Sequence, residues 1–308
     1  MSDPFDRNYT PKTGELVQLS PLVGVVTAPN AGPMTFTGTQ TYLVGQGTLA
    51  VVDPGPDNDA HLAALVRAIN GRPVSHILVT HSHVDHSPLC RRLSDLTGAP
   101  VLGFGTANEG RSAVMERLAV QGDLGGNEGI DEGFAPDRKL ADGEVIEGDG
   151  WALEAIHTPG HLSNHLCFAV QGTGAVLTGD HVMGWATTMV SPPDGDLTGF
   201  MASMEKLAAR EGDSVYYPGH GGAIKDPAGM VAHQIRHRKS REVQILAALS
   251  GGNPATALQL AEQIYTDVDP RLIPAATRNV FAHLIDLSER QRVESDGPIS
   301  VDAVFFEK

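Results

Sequence analysis

An α+β fold followed by a mostly helical C-terminal module is what the pattern of the chain predicts, and three observations predict it. Short β-prone runs bounded by Gly, Pro, Asn and Asp begin the chain and recur up to about residue 218. Stretches with helical apolar spacing are set between them. Beyond Gly222 the character changes to helix and closes on a hairpin.

In chain order, residues 22–27, 40–44 and 48–52 read as strands, with residues 30–33 and Gly45-Gln46-Gly47 as turns. Asp53-Pro54-Gly55-Pro56 stops the third run. Asp53 either serves that turn or stands as a carboxylate behind a metal ligand, and the sequence leaves both open. A helix follows, capped by Asn58, with Leu62, Leu65, Val66 and Ile69 on one face. Ile77-Leu78-Val79 is a buried strand, and a helix over residues 88–96 starts with Pro88 at a permitted first-turn position. Between residues 103 and 137 glycines and acidic residues are frequent and only 113–120 looks helical. Irregular stretches of this length are often lids or substrate loops. Residues 145–146 and 151–156 return to strand.

The strand ends carry the chemistry. Thr80-His81-Ser82-His83-Val84-Asp85-His86 places four metal-capable side chains within six residues, directly after a buried strand. One His-x-His would be read as a polar loop. The design repeats, however, at His157-Thr158-Pro159-Gly160-His161, at Leu177-Thr178-Gly179-Asp180-His181 and at Tyr216-Tyr217-Pro218-Gly219-His220-Gly221. Each is a β run, a Pro or Gly turn, then a candidate ligand, a recurrence that turn chemistry alone does not explain. His81, His83 and His161 supply three nitrogens for one ion. Asp85, His86 and His220 serve a second, and Asp180 bridges both. Two carboxylates and one hydroxide against two dications leave about +1, a site that attracts and polarises an anionic or carbonyl substrate. His157 and His165 flank the cluster in core or supporting positions, His181 faces either way, and His61, His76, His233 and His283 are surface or structural. Asn164 is a candidate for the cleft lining.

These four motifs, in this order, resemble the motif set of the metallo-β-lactamase-fold hydrolases over about residues 15–222. The resemblance implies an αββα sandwich, two mixed sheets packed together with helices outside and metals at one edge. It carries ligand roles onto His81, His83, Asp85, His86, His161, Asp180 and His220. A bridging Asp180 resembles the glyoxalase II and ribonuclease Z type of site. Ser87-Pro88 departs from the Gly-Gly that many members carry there. Thr187-Thr188-Met189-Val190-Ser191-Pro192-Pro193-Asp194-Gly195-Asp196 and the C-terminal part instead resemble the β-lactamase-like protein 2 branch, whose members carry a winged-helix module. The expected domains are therefore 1–222, catalytic, and 223–308, helical and winged-helix-like.

In that second domain Asp226-Pro227 opens a helix that ends at Ser250-Gly251-Gly252-Asn253-Pro254. Helices over about 255–264 and 273–287 follow, then a hairpin over 293–306 turning at Ser295-Asp296-Gly297-Pro298. A winged helix usually reads DNA with its last helix. Here that helix carries only Arg278 against Asp286, a poor basic footprint, so a packing or dimerisation role is expected. Arg236, Arg238, Lys239 and Arg241 crowd the first helix. They form either a solvated face or, through Arg236, His237, Lys239 or Arg241, a grip on a substrate carboxylate or phosphate.

Composition bounds the function. A net charge of -15 disfavours non-specific attraction to nucleic acid or anionic membrane. The polar residues 1–12 contain no signal-peptide core, and no apolar run spans a bilayer. Two cysteines, Cys90 and Cys167, both beside apolar residues, suit buried thiols in a reducing, cytoplasmic setting. The expected activity is that of a hydrolase with two Zn2+ per chain, using a metal-bridging hydroxide oriented by Asp85, which takes its proton. Its expected substrate is a small-molecule ester, thioester or lactone. The alternatives are a single-strand endoribonuclease acting on RNA and a non-catalytic DNA-binding regulator. A homodimer is a further expectation. Flavin-dependent and persulfide-oxidising relatives fit less well. The first normally need a flavin domain, and the second use one iron and fewer ligands than this chain offers.

Overall fold

The computed structural model describes residues 4–121, 124–126, 129–266 and 268–308. The first three residues of the polar N-terminal stretch, and residues 122–123 and 127–128 of the irregular stretch, lie outside the described residues.

Two sheets face each other. The first runs in the order β1 (Leu16–Gln18), β2 (Val23–Thr27), β3 (Gln40–Val44), β4 (Leu49–Val52), β5 (Val74–Leu78), β6 (Val101–Gly103), β7 (Arg138–Lys139). It is antiparallel from β1 to β4 and parallel from β4 to β7. The second contains β8 (Val145–Gly148), β9 (Trp151–His157), β10 (Leu166–Val170), β11 (Ala175–Gly179) and β12 (Val215–Pro218), antiparallel except for the β11–β12 pair.

The two-residue period of a strand decides which side chains meet. Tyr42, Val44 and Leu78 of the first sheet and Leu166, Phe168 and Val170 of the second fill the space between the sheets. The alternate residues Leu43, Val51 and Ile77 face outward, against Leu65 and Ile69 of α1 (Asp59–Ile69) and Leu89 and Leu93 of α2 (Leu89–Thr97). On the other side Cys167 and Val176 meet Phe200 and Met204 of α4 (Leu197–Ala208) and Met230 and Val231 of α5 (Pro227–Leu249). The layers are helix, sheet, sheet, helix, and both free cysteines lie in these apolar contacts.

Asn58 caps α1 through His61 N, as expected. The buried face, however, is His61, Ala64, Leu65, Ala68 and Ile69, whereas Val66 is 49% exposed. At 100° per residue the face centred on His61, Ala64, Leu65 and Ala68 puts Val66 well to one side of it, and the small Ala64 and Ala68 let α1 approach the sheet.

The C-terminal module consists of α5, α6 (Ala257–Ile264), α7 (Ile273–Glu289) and the ribbon β13 (Val293–Ser295)–β14 (Phe305–Glu307). Asp226 and Pro227 start α5, and Thr256 with Gln259 forms a capping box on α6. The ribbon is not the tight hairpin expected. Its strands are joined across residues 296–304, closed by Asp296 N to Val304 O, because Phe305 must also reach Phe281 and Ala255. The module is not free of the sandwich. Met115 and Leu118 of α3 (Ala113–Gln121) and Leu124 share its apolar core. Most of α7 is buried, including Arg278, so the helix that would read DNA is spent on packing.

Candidate metal centre

Strands β4, β5, β11 and β12 end at one edge of the sandwich, and the loops after β5, β9, β11 and β12 bring the candidate ligands together. His81, His83, His161 and Asp180 present one donor atom each within 4.8 Å of one another, and Asp85, His86 and His220 form an adjacent group. In the first, His83 Nδ1 lies 2.9 Å from His81 Nε2 and 3.1 Å from His161 Nε2. In the second, Asp85 Oδ2 lies 3.4 Å from His86 Nε2 and 3.2 Å from His220 Nε2. Asp180 stands between them, with Oδ1 3.5 Å from His86 Nε2 and Oδ2 3.3 Å from His220 Nε2 and 3.8 Å from His161 Nε2. Donors about 2.0–2.1 Å from a shared tetrahedral ion sit about 3.4 Å apart, so most of these spacings are those of a metal cage.

The atoms behind the ligands fix which ring nitrogen faces inward. His161 Nδ1 donates to Met189 O at 2.8 Å, and His220 Nδ1 faces Gly38 O at 3.3 Å. His81 Nδ1 meets Thr80 Oγ1 at 2.9 Å, and that hydroxyl donates to Asp53 Oδ2 at 2.7 Å. His86 Nδ1 meets the same Asp53 oxygen at 2.9 Å. All four rings therefore turn Nε2 toward the centre, and His83 alone offers Nδ1. Asp53 thus has both roles left open by the sequence, at the turn and behind a candidate ligand. Asp85 is held by Thr39 Oγ1 at 2.8 Å. Gly219 is obligatory, since a Cβ there would lie 2.3 Å from Asp180 Oδ1 and 2.7 Å from His86 Cε1.

Burial and mutual charge shift every group. Burial pulls His81 well below its ordinary value, the neighbouring His86 and His83 adding to it, and burial with His161 takes His83 to about 3. Burial would also lower His86 and His220, but the carboxylates of Asp85 and Asp180 outweigh it, raising His86 well above its usual range and His220 to about 10. Burial would raise Asp85 and Asp180, yet His86 and His220 hold both well below the carboxylate range. The first group thus offers neutral imidazoles, the state a dication requires, whereas His86 and His220 are held protonated by Asp85 and Asp180 in the metal-free chain and would release a proton on binding one.

Other expectations fare differently. Asn164 is buried at 2% exposure and does not line the cleft; its amide donates to Ser82 Oγ, Gly105 O and Thr106 O, because it ties the first histidine loop to the next one. Nor does the structure bring Arg236, His237, Lys239 or Arg241 to the centre. Arg236 borders a surface groove with Pro4, Asp6 and Lys225, Lys239 is exposed, and Arg241 lies over the Tyr265 ring. His237 is half-buried, its Nδ1 without a partner among the described residues. The cation that does point inward is Arg238, missed although Val231, Gln234 and Ile245 share its helical face. That 3.6-residue spacing was the available signal. Thr39, Thr188 and Asn279 carry no comparable sequence signal. His165 and His181 are buried, and His157 stacks on Phe104.

Comparison with known proteins agrees with this arrangement. Residues 34–220 match the metallo-beta-lactamase superfamily, and residues 256–299 match the beta-lactamase associated winged helix domain. The lactamase-like protein adaB of Aspergillus niger is 30% identical over 93% of this chain and 86% of its own length. The atrochrysone carboxyl ACP thioesterase AgnL7 of Paecilomyces divaricatus is 32% identical over 78% of this chain and 68% of its own. A metallo-beta-lactamase family protein of Thermus thermophilus superposes with a TM-score of 0.74 at 27% identity, covering 94% of this chain and 100% of that one. With two facing sheets, helices on both outer faces and the donor cluster at one sheet edge, the chain belongs to the metallo-beta-lactamase superfamily, a hydrolase domain followed by a beta-lactamase associated winged helix domain.

Proposed function

We propose that this hydrolase is a dinuclear zinc enzyme that cleaves a thioester carbonyl. The convergence of seven donor side chains, with Asp180 between two groups, carries the reading. The residues fit the ions: His86 Nε2 and Asp180 Oδ1 are buried without a hydrogen-bond partner among the described residues, and a cation between them would satisfy both. His81, His83 and His161 would hold one ion, Asp85, His86 and His220 the other, with Asp180 shared. The chemistry supplied by divalent cations held there is polarisation of a carbonyl and a lowered pKa for the attacking water.

The chain's own groups do the rest. Asp85 keeps one oxygen on Thr39 and remains 19% exposed, placed to accept a hydrogen bond from the water and aim its lone pair. Ile130, Leu162 and Met189 form an apolar wall beside His83 and His161. Asp194, on the same wall, is paired with Arg111 at 2.6 Å. A thiolate is a better leaving group than an alkoxide, its conjugate acid having a pKa of about 8.5, so a thioester makes the smaller demand on a proton donor. The named activity of the thioesterase relatives supports the same choice. The phosphodiester reading loses the support of Arg236, Lys239 and Arg241, which do not border the site.

A substrate panel tests the proposal. Purified protein should carry about two zinc ions per chain. Acyl thioesters should release thiol faster than matched oxygen esters or lactones, and His83→Ala and Asp180→Ala should abolish release while the chain stays folded. Cleavage of single-stranded RNA that depends on those residues, without thioester turnover, would overturn it.

A further inference from the structure

Residues 188–196 form a strap across the metal centre. The strap touches two candidate ligands. Met189 O accepts the Nδ1 proton of His161 at 2.8 Å, and Thr188 Oγ1 donates to the backbone carbonyl of Asp180 at 2.8 Å. No regular strand or helix supports residues 188–194 themselves. Besides the Arg111–Asp194 pair, side chains of α5 and α7 anchor them. Arg238 of α5 donates to Thr188 O through Nη2 and to Asn279 Oδ1 through Nη1, the latter at 2.8 Å. Asn279 of α7 accepts the backbone N–H of Val190 at 3.1 Å on that same oxygen. Next to it, Arg278 donates to Ser191 Oγ at 2.8 Å and to Pro192 O, and it reaches Leu124 O as well.

Arg238 is the costly member of this arrangement. It is 2% exposed, no carboxylate faces it among the described residues, and burial lowers its pKa to about 10. A buried cation without a counter-ion costs stability, offset only where hydrogen bonds replace its lost hydration. Here they end on the strap, and its guanidinium also lies over the Phe200 ring.

We infer that Arg238 and Asn279 are positioning residues for the metal centre, holding the strap so that Met189 O keeps His161 in the tautomer that turns Nε2 to the ion. Helices α5 and α7 thereby act as the buttress of the hydrolytic site. This inference rests on the proposed metal centre only for its binding readout; the tautomer readout stands without any metal.

The experiment compares Asn279→Ala, Asn279→Asp, Arg238→Lys and the wild type, with Phe305→Leu as a control that loosens the packing of the β13–β14 ribbon without touching the strap. Zinc affinity is read by competition with a chromophoric chelator, and the His161 tautomer by ring-nitrogen NMR of the metal-free chain. Supporting partners of metal-bound histidines are typically worth about ten- to a hundredfold in affinity. Asn279→Ala and Arg238→Lys should weaken one zinc site by about that factor and mix the His161 tautomers. Asn279→Asp, which keeps the accepting oxygen, should restore both, and Phe305→Leu should change neither. Unaltered affinity and tautomer in Asn279→Ala and Arg238→Lys would overturn the inference, as would an equal loss in Phe305→Leu. A wild type that binds no zinc would refute the proposed function, while the tautomer pattern would still decide the role of the two helices.

Discussion

Asp53 Oδ2 lies 2.9 Å from Nδ1 of His86, and its two oxygens also take the Thr80 backbone N–H and hydroxyl, each at 2.7 Å. One buried carboxylate thus stands behind both donor groups, behind His86 directly and behind His81 through Thr80. Its backbone is held at a φ of 52°, a left-handed conformation that Asp tolerates, so the turn and the supporting role coincide in one residue.

Removing that carboxylate should loosen the centre without dismantling the sandwich. Asp53→Ala is expected to lower zinc affinity at the His86 position by about ten- to a hundredfold. Metal competition would show it, and an unchanged dissociation constant would refute the role.

A methyl group at Gly219 should be more damaging. Because the Cβ would overlap both Asp180 Oδ1 and His86 Cε1, Gly219→Ala is expected to bind fewer than two ions and to lose turnover. Gly297→Ala, where nothing lies within 4 Å, should behave as wild type by metal content and rate.

Away from the ligands, His61 makes the metal-free chain acid-sensitive. It is fully buried, its Nε2 meets Thr41 Oγ1 at 2.9 Å, and burial lowers its pKa to about 4. A depressed base binds its proton later in the folded chain than in the unfolded one. Its contribution is therefore complete above about pH 6.5 and lost as pH falls toward 4, by about 3 kcal/mol at most. Denaturant titrations of chelator-treated protein should show a shallower decline for His61→Gln across that window. Parallel curves would contradict the prediction.

Two neighbours on α1 offer a packing test. Leu65 is 0% exposed, and Leu65→Ala should cost about 2–5 kcal/mol. Val66, beside it, faces solvent, and Val66→Ala should stay within about 0.5 kcal/mol. Equal shifts in the denaturation midpoint would mean that the helix is rotated from the face described.

The sequence by itself determined the strands that lead into the four motifs, the candidate donors and the order in which they arrive, but not β1, β6, β7 or β10. Those features are local: alternation, turn residues and His or Asp at strand ends are written within a few positions of one another. The first histidine motif, the turn before His161 and the cap at Asn58 all follow from such short-range rules. What only the tertiary structure decided depends on contacts between residues far apart in the chain. It turned Val66 outward, placed Arg238 beneath residues 188–190, kept the other cations of α5 away from the centre, and set Thr39 against Asp85. The direction of a helical face is fixed by what packs against it, and a hydrogen bond between loops leaves no periodic trace in either segment. The candidate ligands were therefore readable from the chain, and the residues that hold them in place were not.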